Sequence, residues 1–496
     1  MARQFGLSKS KIAAFEQCPK RLWLATHRRD LAQQSDGAQA RFAAGDEVGA
    51  VACGLLPNGT MVEAEPNLAT ALATTAALLA GNQKAPIFEA TLEHDGVLVR
   101  IDILEPDGKG GWHLAEVKST TKPKGYHVGD LATQLWVARE AGLDVRRASV
   151  RHIDTGFTLE REGEFQGLFT DADLMEPALA LIDDRPGLVV AARDMLAGDE
   201  PLIEPGEQCK KPFPCEFSAY CQAHVPEIPP WPVTVLPAGG GKRWLALGVV
   251  NLLEVDAAAL TNTIQKRVHR ATLTGEPFHD ILGARAAMAD WHFPRTWLDF
   301  ETIAFAVPRW VGTRPYEQIP FQFSAHLEQA DGGIEHHEFL SLDGADPRRG
   351  CAEAIVAMVP AAGTVVAYNA SFEKGRLLEL AAAFPDLARA LSGIADRLVD
   401  LLPVTRANWY HRDQRGSWSI KAVLPTVAPE LDYAKLEVGD GAKAQAAYLE
   451  AIAPDTAPDR HSQLNADLRK YCGLDTMAMI VLARHLANEP RLEVEV

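Results

Sequence analysis

The sequence predicts an α/β protein of two domains, and three patterns predict it. Between residues 60 and 155 an apolar helical stretch is followed by alternating strand segments and a further helix. A proline- and glycine-rich break, EIPPWPVTVLPAGGGKRW over residues 227–244, then interrupts the chain; prolines block helix and ladder hydrogen bonds, and a run of glycines favours flexibility. Beyond it a second set of strands and helices begins. The expected division is a domain over 1–226, a linker and helical connector over 227–290, and a domain over 291–496.

Taking the elements in order, NLATALATTAALLA (67–80) reads as a helix and PIFEATLEHDGVLVRIDIL (86–104) as a hairpin, with HDG as the turn between alternating apolar residues. GWHLAEVK (111–118) reads as a further strand, and YHVGDLATQLWVAREAGL (126–143) as the helix after it. Residues 245–290 are mostly helical in pattern. Strands are expected at 295–301, 319–328 and 334–341, and TVVAYN (364–369) is another, running into the helix SFEKGRLLELAAAF (371–384). Two helices, GAKAQAAYLEAI and HSQLNADLRKYCGLDTMAMIVLARHLA, close the pattern.

Composition narrows the function classes. With 496 residues, 47% hydrophobic and 23% charged, the chain can bury ordinary globular cores. The N-terminal MARQFGLSKSKIAAFEQ has no apolar run and no stretch is long and apolar enough to span a bilayer, so a cytoplasmic protein is expected. A net charge of −17 argues against a passive, charge-driven nucleic-acid coat. It leaves a nucleic-acid enzyme open, because carboxylate metal sites add negative charge that bound ions offset. One basic segment runs from Lys9 to Arg29. The seven cysteines are odd in number and widely spaced, which is unlike a disulfide framework. Three of them fall together in CKKPFPCEFSAYC, a pattern that suggests metal ligation; Cys53, Cys351 and Cys472 read as buried or incidental.

The first candidate site combines Asp102, in the apolar strand VRIDIL, with Glu116 and Lys118 in LAEVKST. Residues two apart on a strand point to one face. Two carboxylates there can hold Mg²⁺ or Mn²⁺, and the lysine can stabilise developing negative charge, as phosphodiester hydrolysis requires. The order of Gly96, Asp102, the Glu-x-Lys pair and then Gln134 in the helix phrase QLWVA resembles the RecB-type branch of the PD-(D/E)xK nucleases. That resemblance implies a restriction-endonuclease-like fold with Asp102 and Glu116 as metal ligands and Lys118 and Gln134 as catalytic-site residues. Ala138 stands where the family often has a tyrosine, and Asp46 and Glu47 stand in FAAGDEVG where many relatives have a histidine. Glu89 is either a further metal ligand or a strand-surface residue.

Cys209, Cys215 and Cys221 are evenly spaced, and Cys18 in FEQCPKRLW is the candidate fourth thiolate. Four thiolates can hold a [4Fe–4S] cluster or a zinc ion, and spacing alone does not choose. The phrase SKSKIAAFEQCPKRLW resembles the N-terminal phrase of RecB-type nucleases, including those of CRISPR adaptation, that bracket the nuclease core with one early and three late cysteines around an iron–sulfur cluster. The resemblance implies a [4Fe–4S] cluster with a structural role, with zinc as the alternative.

The second candidate site begins at WLDFET, with Asp299 and Glu301 two apart on an apolar strand. Such carboxylates repel unless cations bind between them. Asn369 and Glu373 fall at a strand–helix junction in YNASFEKGRL, and Tyr471 and Asp475 share a helix face in RKYCGLDTM. The order resembles the DEDD exonucleases of the ribonuclease H-like fold, in the tyrosine branch. It implies that Asp299, Glu301, Glu373 and Asp475 bind two metals about 4 Å apart and that Tyr471 positions the attacking water. Glu373 replaces the usual aspartate, and Asp400 is a possible substitute. The whole chain resembles a bacterial family fusing the two nuclease types, with phrases such as IPFQFSAH, YNASFEKGRL and GSWSIKAVLP.

These resemblances imply a metal-dependent nuclease acting on nucleic acid, with no membrane partner. Single-stranded DNA is the preferred substrate, RNA is an alternative, and the C-terminal domain would trim 3′ ends in repair, recombination or defence. The competing expectation is a nucleic-acid-binding scaffold in which one or both sites are inactive.

Overall fold

The computed structural model describes residues 6–33, 38–81, 84–224 and 228–491. The protein is mixed α/β and divides into two compact units, Met1–Pro226 with Phe305–Tyr316, and Glu227–Ala304 with Glu317–Val496. The boundary expected at 226/227, and residues 1–5 of the N-terminal stretch, lie outside the described residues.

In the first unit, helices α1 (Lys9–Gln17) and α2 (Pro19–His27) precede the strands β1 (Ile87–His94), β2 (Val97–Pro106), β3 (Trp112–Lys118), β4 (Val145–Ile153) and β5 (Phe169–Asp173). These five lie side by side in chain order. Every neighbouring pair is antiparallel except β3 and β4, whose parallel pairing requires a crossover; α3 (Gly125–Glu140) supplies it. The β1–β2 turn puts Asp95 and Gly96 at φ +45° and +64°, the left-handed pair that matches strand twist. Leu7–Ser8 adds a short parallel pairing to β2. Alternation along β2 buries Val97, Val99, Ile101 and Ile103 and turns Asp102 to the other face. Leu131 and Leu135 of α3 pack on that core, which holds the helix against β1, β2 and β4.

Residues 305–316, expected within the C-terminal domain, join this first unit instead. Ala306 and Val307 pack with Val48, Ile153 and Leu168. Leu159 closes the contact with backbone hydrogen bonds to Gly312 (2.8 Å) and Thr313 (3.0 Å). The apolar run that follows the Asp299 strand is buried by these contacts, a long-range pairing that local periodicity does not carry.

The second unit is built on β6 (Arg295–Ile303), β7 (Ile319–Glu328), β8 (Ile334–Leu340), β9 (Thr364–Ala367) and β10 (Leu398–Asp400). Their spatial order is β8-β7-β6-β9-β10. The first three form an antiparallel meander, while β9 and β10 run parallel to β6. Helix α4 (Ser371–Ala383) follows β9, α5 (Ile420–Val427) comes later, and the long α6 (Pro458–Leu486) is the last helix described. β7 is buried along its whole length. Its polar side chains are therefore committed to α6: Gln322 donates to the Leu468 carbonyl (3.0 Å), and Ser324 and His326 each meet the Thr476 hydroxyl at 2.8 Å. These bonds hold Tyr471 and Asp475 over β6. The connector contributes the helices Gly240–Ala246, Thr263–Thr274 and Ile281–Ala287 among short 3₁₀ turns, and it clusters with the second unit. Among the described residues no helix is long and apolar enough to cross a membrane.

Candidate functional site

The first site forms where the β2–β3 ladder opens. The pairing runs from Pro106 opposite Trp112 to Ile103 opposite Ala115, and there it stops. The freed Val117 N–H is taken by Asp102 Oδ2 at 2.7 Å, so the strands splay around a carboxylate. Glu116 is buried and fully engaged. Its Oε1 accepts from Lys118 Nζ and from Lys9 Nζ, both at 2.6 Å, and its Oε2 accepts from Gln134 Nε2 at 2.7 Å. Gln134 sits on the inner face of α3, and one turn earlier Asp130 lies 4.0 Å from Lys118 Nζ. The structure thus brings together all four residues expected here and adds Lys9 and Asp130.

The two metal-ligand candidates titrate in opposite directions. Burial and the Glu116 charge push Asp102 up to about 7. Burial also opposes ionisation of Glu116, but Lys9 and Lys118 outweigh it and hold its carboxyl well below the usual range. Burial and Glu116 raise Asp130 to about 6. Glu89, opposite Asp102 in register, pairs with Arg100 at 3.0 Å. Ala138 is buried in the core where the resembled family places a tyrosine, and Asp46 is exposed.

The four cysteines expected to act together line one small cavity with Lys20, Arg21, Leu24 and Phe217. Cys18 links α1 to α2, Cys209 ends a 3₁₀ turn and Cys221 lies in the short helix Ser218–Gln222. Chain segments about 190 residues apart are joined there by Gln17, whose amide donates to the carbonyls of Gln208 (2.7 Å) and Phe213 (2.8 Å). Arg21 adds an ion pair to Glu216 at 2.9 Å. Of the other cysteines, Cys351 and Cys472 are buried and Cys53 is half-buried, its thiol pushed up to about 11 by burial.

The second site lies on β6 beneath α6. Ligand atoms of Asp299, Glu301 and Asp475 all fall within 4.8 Å of one another, the one such set of three or more acidic, histidine or cysteine side chains among the described residues. Glu373, on the first turn of α4, lines the same pocket with Tyr471 and Lys421. Its Oε2 is buried without a hydrogen-bond partner, an oxygen that a cation would satisfy. Asp400 has one oxygen committed elsewhere: its Oδ1 accepts from the backbone of Asn369 and Leu402, both at 2.9 Å, and caps the helix Leu401–Asn408. Sequence reasoning missed two members. Tyr433 donates to Asp475 Oδ1 at 2.5 Å, and Lys421 of α5 donates to Tyr471 Oη at 2.9 Å and to the Gly439 carbonyl at 3.0 Å. Lys421 lies in the phrase GSWSIKAVLP, but neither residue belongs to a spacing pattern that marks a site.

Burial and mutual repulsion dominate the electrostatics. Burial and Asp475 raise Glu301 to about 8; burial raises Glu373 to about 8 and Asp475 to about 6; Asp299 is raised well above its usual range by burial and then by Asp475, Glu301 and Glu373. The residues present therefore fit divalent cations, whose charge would offset this repulsion. The linkage has a definite sign. Between the ordinary glutamate value near 4.5 and about 8, the folded protein holds protons that the unfolded chain releases. Metal-free stability is then greatest at the acid end of that window and falls as pH rises through it. Melting curves of metal-free protein at pH 5, 6.5 and 8 are expected to show a falling Tm, with added Mg²⁺ or Mn²⁺ restoring most at pH 8.

A family described as "Domain of unknown function (DUF2779)" matches residues 296–419, a span that includes Asp299, Glu301 and Glu373. The chain is similar to the "Uncharacterized protein MG366 homolog" of Mycoplasma pneumoniae, at 27% identity over 207 residues, or 38% of this chain. It spans 31% of the length of that relative. It is also similar to the crystal structure of SSO0001, at 15% identity and a TM-score of 0.24, over 44% of this chain and 86% of the other.

Proposed function

We propose that this protein is a metal-dependent nuclease with a hydrolytic centre in each unit. The observation that carries the reading is the convergence of Asp299, Glu301 and Asp475 within 4.8 Å, with Glu373 lining the same pocket. Buried carboxylates in that number are costly unless cations join them. The strand order β8-β7-β6-β9-β10, an antiparallel meander extended by two parallel strands, agrees with a ribonuclease H-like domain. The splayed β2–β3 pair, with Asp102, Glu116 and Lys118 backed by Gln134, agrees with a PD-(D/E)xK domain.

Divalent cations, when bound, would supply an activated water and offset charge on the phosphate. In the second unit Asp299, Glu301, Glu373 and Asp475 would hold them. The Tyr471 hydroxyl, oriented by Lys421, would align the attacking water at a 3′ end. In the first unit Asp102 and Glu116 would hold the cation, Gln134 fixes the Glu116 carboxylate, and Lys118 stabilises negative charge developing on the phosphate. Single-stranded DNA is the substrate we assign to both sites.

The cysteine cavity is proposed to hold a [4Fe–4S] cluster. Cys18, Cys209, Cys215 and Cys221 line that one cavity, and the choice of an iron–sulfur cluster over zinc rests on the resemblance of SKSKIAAFEQCPKRLW to the cluster-bearing nucleases. Cys18→Ser is expected to remove absorbance near 400 nm from an anaerobic preparation. It should also lower the Tm by roughly 10 °C, because ligation joins the first helices to the distant cysteine loop.

Calorimetric titration with Mn²⁺ tests the nuclease reading as a whole. Uptake at both carboxylate sites, with one class lost in Asp299→Ala and the other in Glu116→Ala, is expected. Wild-type protein that takes up no Mn²⁺ would replace the enzyme with a nucleic-acid-binding scaffold.

A further inference from the structure

Lys9 is the member of the first site that the hydrolytic scheme does not use. It donates to the same Glu116 oxygen as Lys118, at the same 2.6 Å, while Gln134 occupies the other oxygen. A cation reaching that oxygen must displace an ammonium. Lys118 is rooted on the strand that carries Glu116; Lys9 arrives from a different element, and that element is built to deliver it. Leu7–Ser8 pairs in parallel with Val97–Leu98, the Leu7 N–H donates to the Gly96 carbonyl at 3.1 Å, and Ser8 caps α1 through the Lys11 N–H. Leu7 and Ile12 are buried in the core on either side. The root of Lys9 is therefore fixed, while its four-carbon stem, with a fifth of the side chain still exposed, remains free to re-aim.

The charges point the same way. Asp102 and Glu116 face Lys9 and Lys118, with Asp130 beside Lys118. Three carboxylates against two ammoniums leave a net charge of only about −1, a weak attraction for a lone divalent cation. An anionic phosphate arriving with the cation restores the balance and gives a displaced ammonium a new partner.

We propose that Lys9 holds Glu116 while no cation is bound and turns to a substrate phosphate when a divalent cation takes Glu116, so that metal and nucleic acid bind more tightly together than apart. This rests on the nuclease reading of the first site. It makes Lys9 a phosphate-binding residue of that site and couples occupancy by metal to occupancy by nucleic acid.

The test uses the full chain carrying Asp299→Ala, so that Mn²⁺ uptake reports the first site, and compares Lys9 with Lys9→Gln and Lys9→Met. The glutamine retains a hydrogen bond to Glu116 and with it the packing of α1, while removing the charge. Mn²⁺ binding, read by electron paramagnetic resonance without nucleic acid, is expected to tighten roughly tenfold in both variants. Binding of a non-hydrolysable single-stranded DNA analogue in the presence of Mn²⁺ is expected to weaken, with the slope of log affinity against log salt reduced by about one, while binding without metal changes little. A salt bridge that merely holds α1 in place predicts the reverse for the metal and no change in salt slope. Lys9→Gln that binds Mn²⁺ no more tightly, in a background that still cuts DNA, overturns the coupling and leaves the nuclease reading standing. A Lys9 parent that neither takes up Mn²⁺ nor cuts overturns both.

Discussion

Asp299→Asn is expected to lower 3′-end trimming by roughly a thousandfold while making the metal-free protein more stable. The two effects share a cause. Asp299 is held among Asp475, Glu301 and Glu373, and both burial and those neighbours oppose its ionisation. The amide keeps the shape and removes one member of the repelling set. An increase of about 1–2 kcal/mol in metal-free stability, or a Tm higher by roughly 2–6 °C, should follow. With saturating Mn²⁺ the order reverses, because the wild type gains binding free energy that the variant has lost. Calorimetric scans with and without Mn²⁺, beside a ladder assay on end-labelled single-stranded DNA, check both halves. A variant that is inactive and also less stable without metal would mean that Asp299 is held by compensating partners rather than repelled by its neighbours.

Glu116→Gln is expected to be equally damaging to cleavage at the first site, again roughly a thousandfold, with the opposite sign in stability. Here the carboxylate is the counter-ion of Lys9 and Lys118 and the acceptor for Gln134. Neutralising it leaves two poorly solvated ammoniums sharing a neutral amide. Breaking a buried ion pair from one side costs about 3 kcal/mol or more, so the first unit should melt earlier both with and without metal. The two substitutions each remove one carboxylate charge from a proposed metal site. The sign of their metal-free stability change separates a site already balanced by lysines from one that awaits cations. A Glu116→Gln protein with an unchanged melting curve would show that the lysines are solvated and the site open.

Much of this is legible in the sequence because strands and helices announce themselves by period. The hairpin around Asp95–Gly96, the strand carrying Glu116 and Lys118, and the strand carrying Asp299 and Glu301 occupy the expected positions. So does α6, whose i, i+4 spacing puts Tyr471 and Asp475 on one face. What sequence does not carry is contact between distant segments. Lys9 reads as one cation in a basic run; only the pairing of Leu7–Ser8 with β2 reveals that it is aimed at Glu116. Lys421 and Tyr433 lie about 50 and 40 residues before the partners they bond, with no shared period. The choice between Glu373 and Asp400 was likewise closed to sequence. Only the fold reveals that one Asp400 oxygen caps a helix, while Glu373 lines the pocket with a buried oxygen that has no hydrogen-bond partner. The same limit explains β4, β5 and the helices Met175–Ile182 and Arg185–Ala197, which periodicity left unassigned. It also explains residues 305–316, whose burial depends on Val48, Ile153 and Leu168.

Whether both carboxylate clusters hydrolyse phosphodiesters is read directly from a time course on end-labelled single-stranded DNA with Mn²⁺. Wild-type protein is run beside Glu116→Gln, Asp299→Asn and the double variant, all prepared anaerobically with the 400 nm chromophore confirmed. Each single variant is expected to lose a different part of the product ladder, and the double variant to leave the substrate intact. A wild type that cuts nothing under these conditions, or a double variant that cuts as well as wild type, would contradict a hydrolytic centre in each unit.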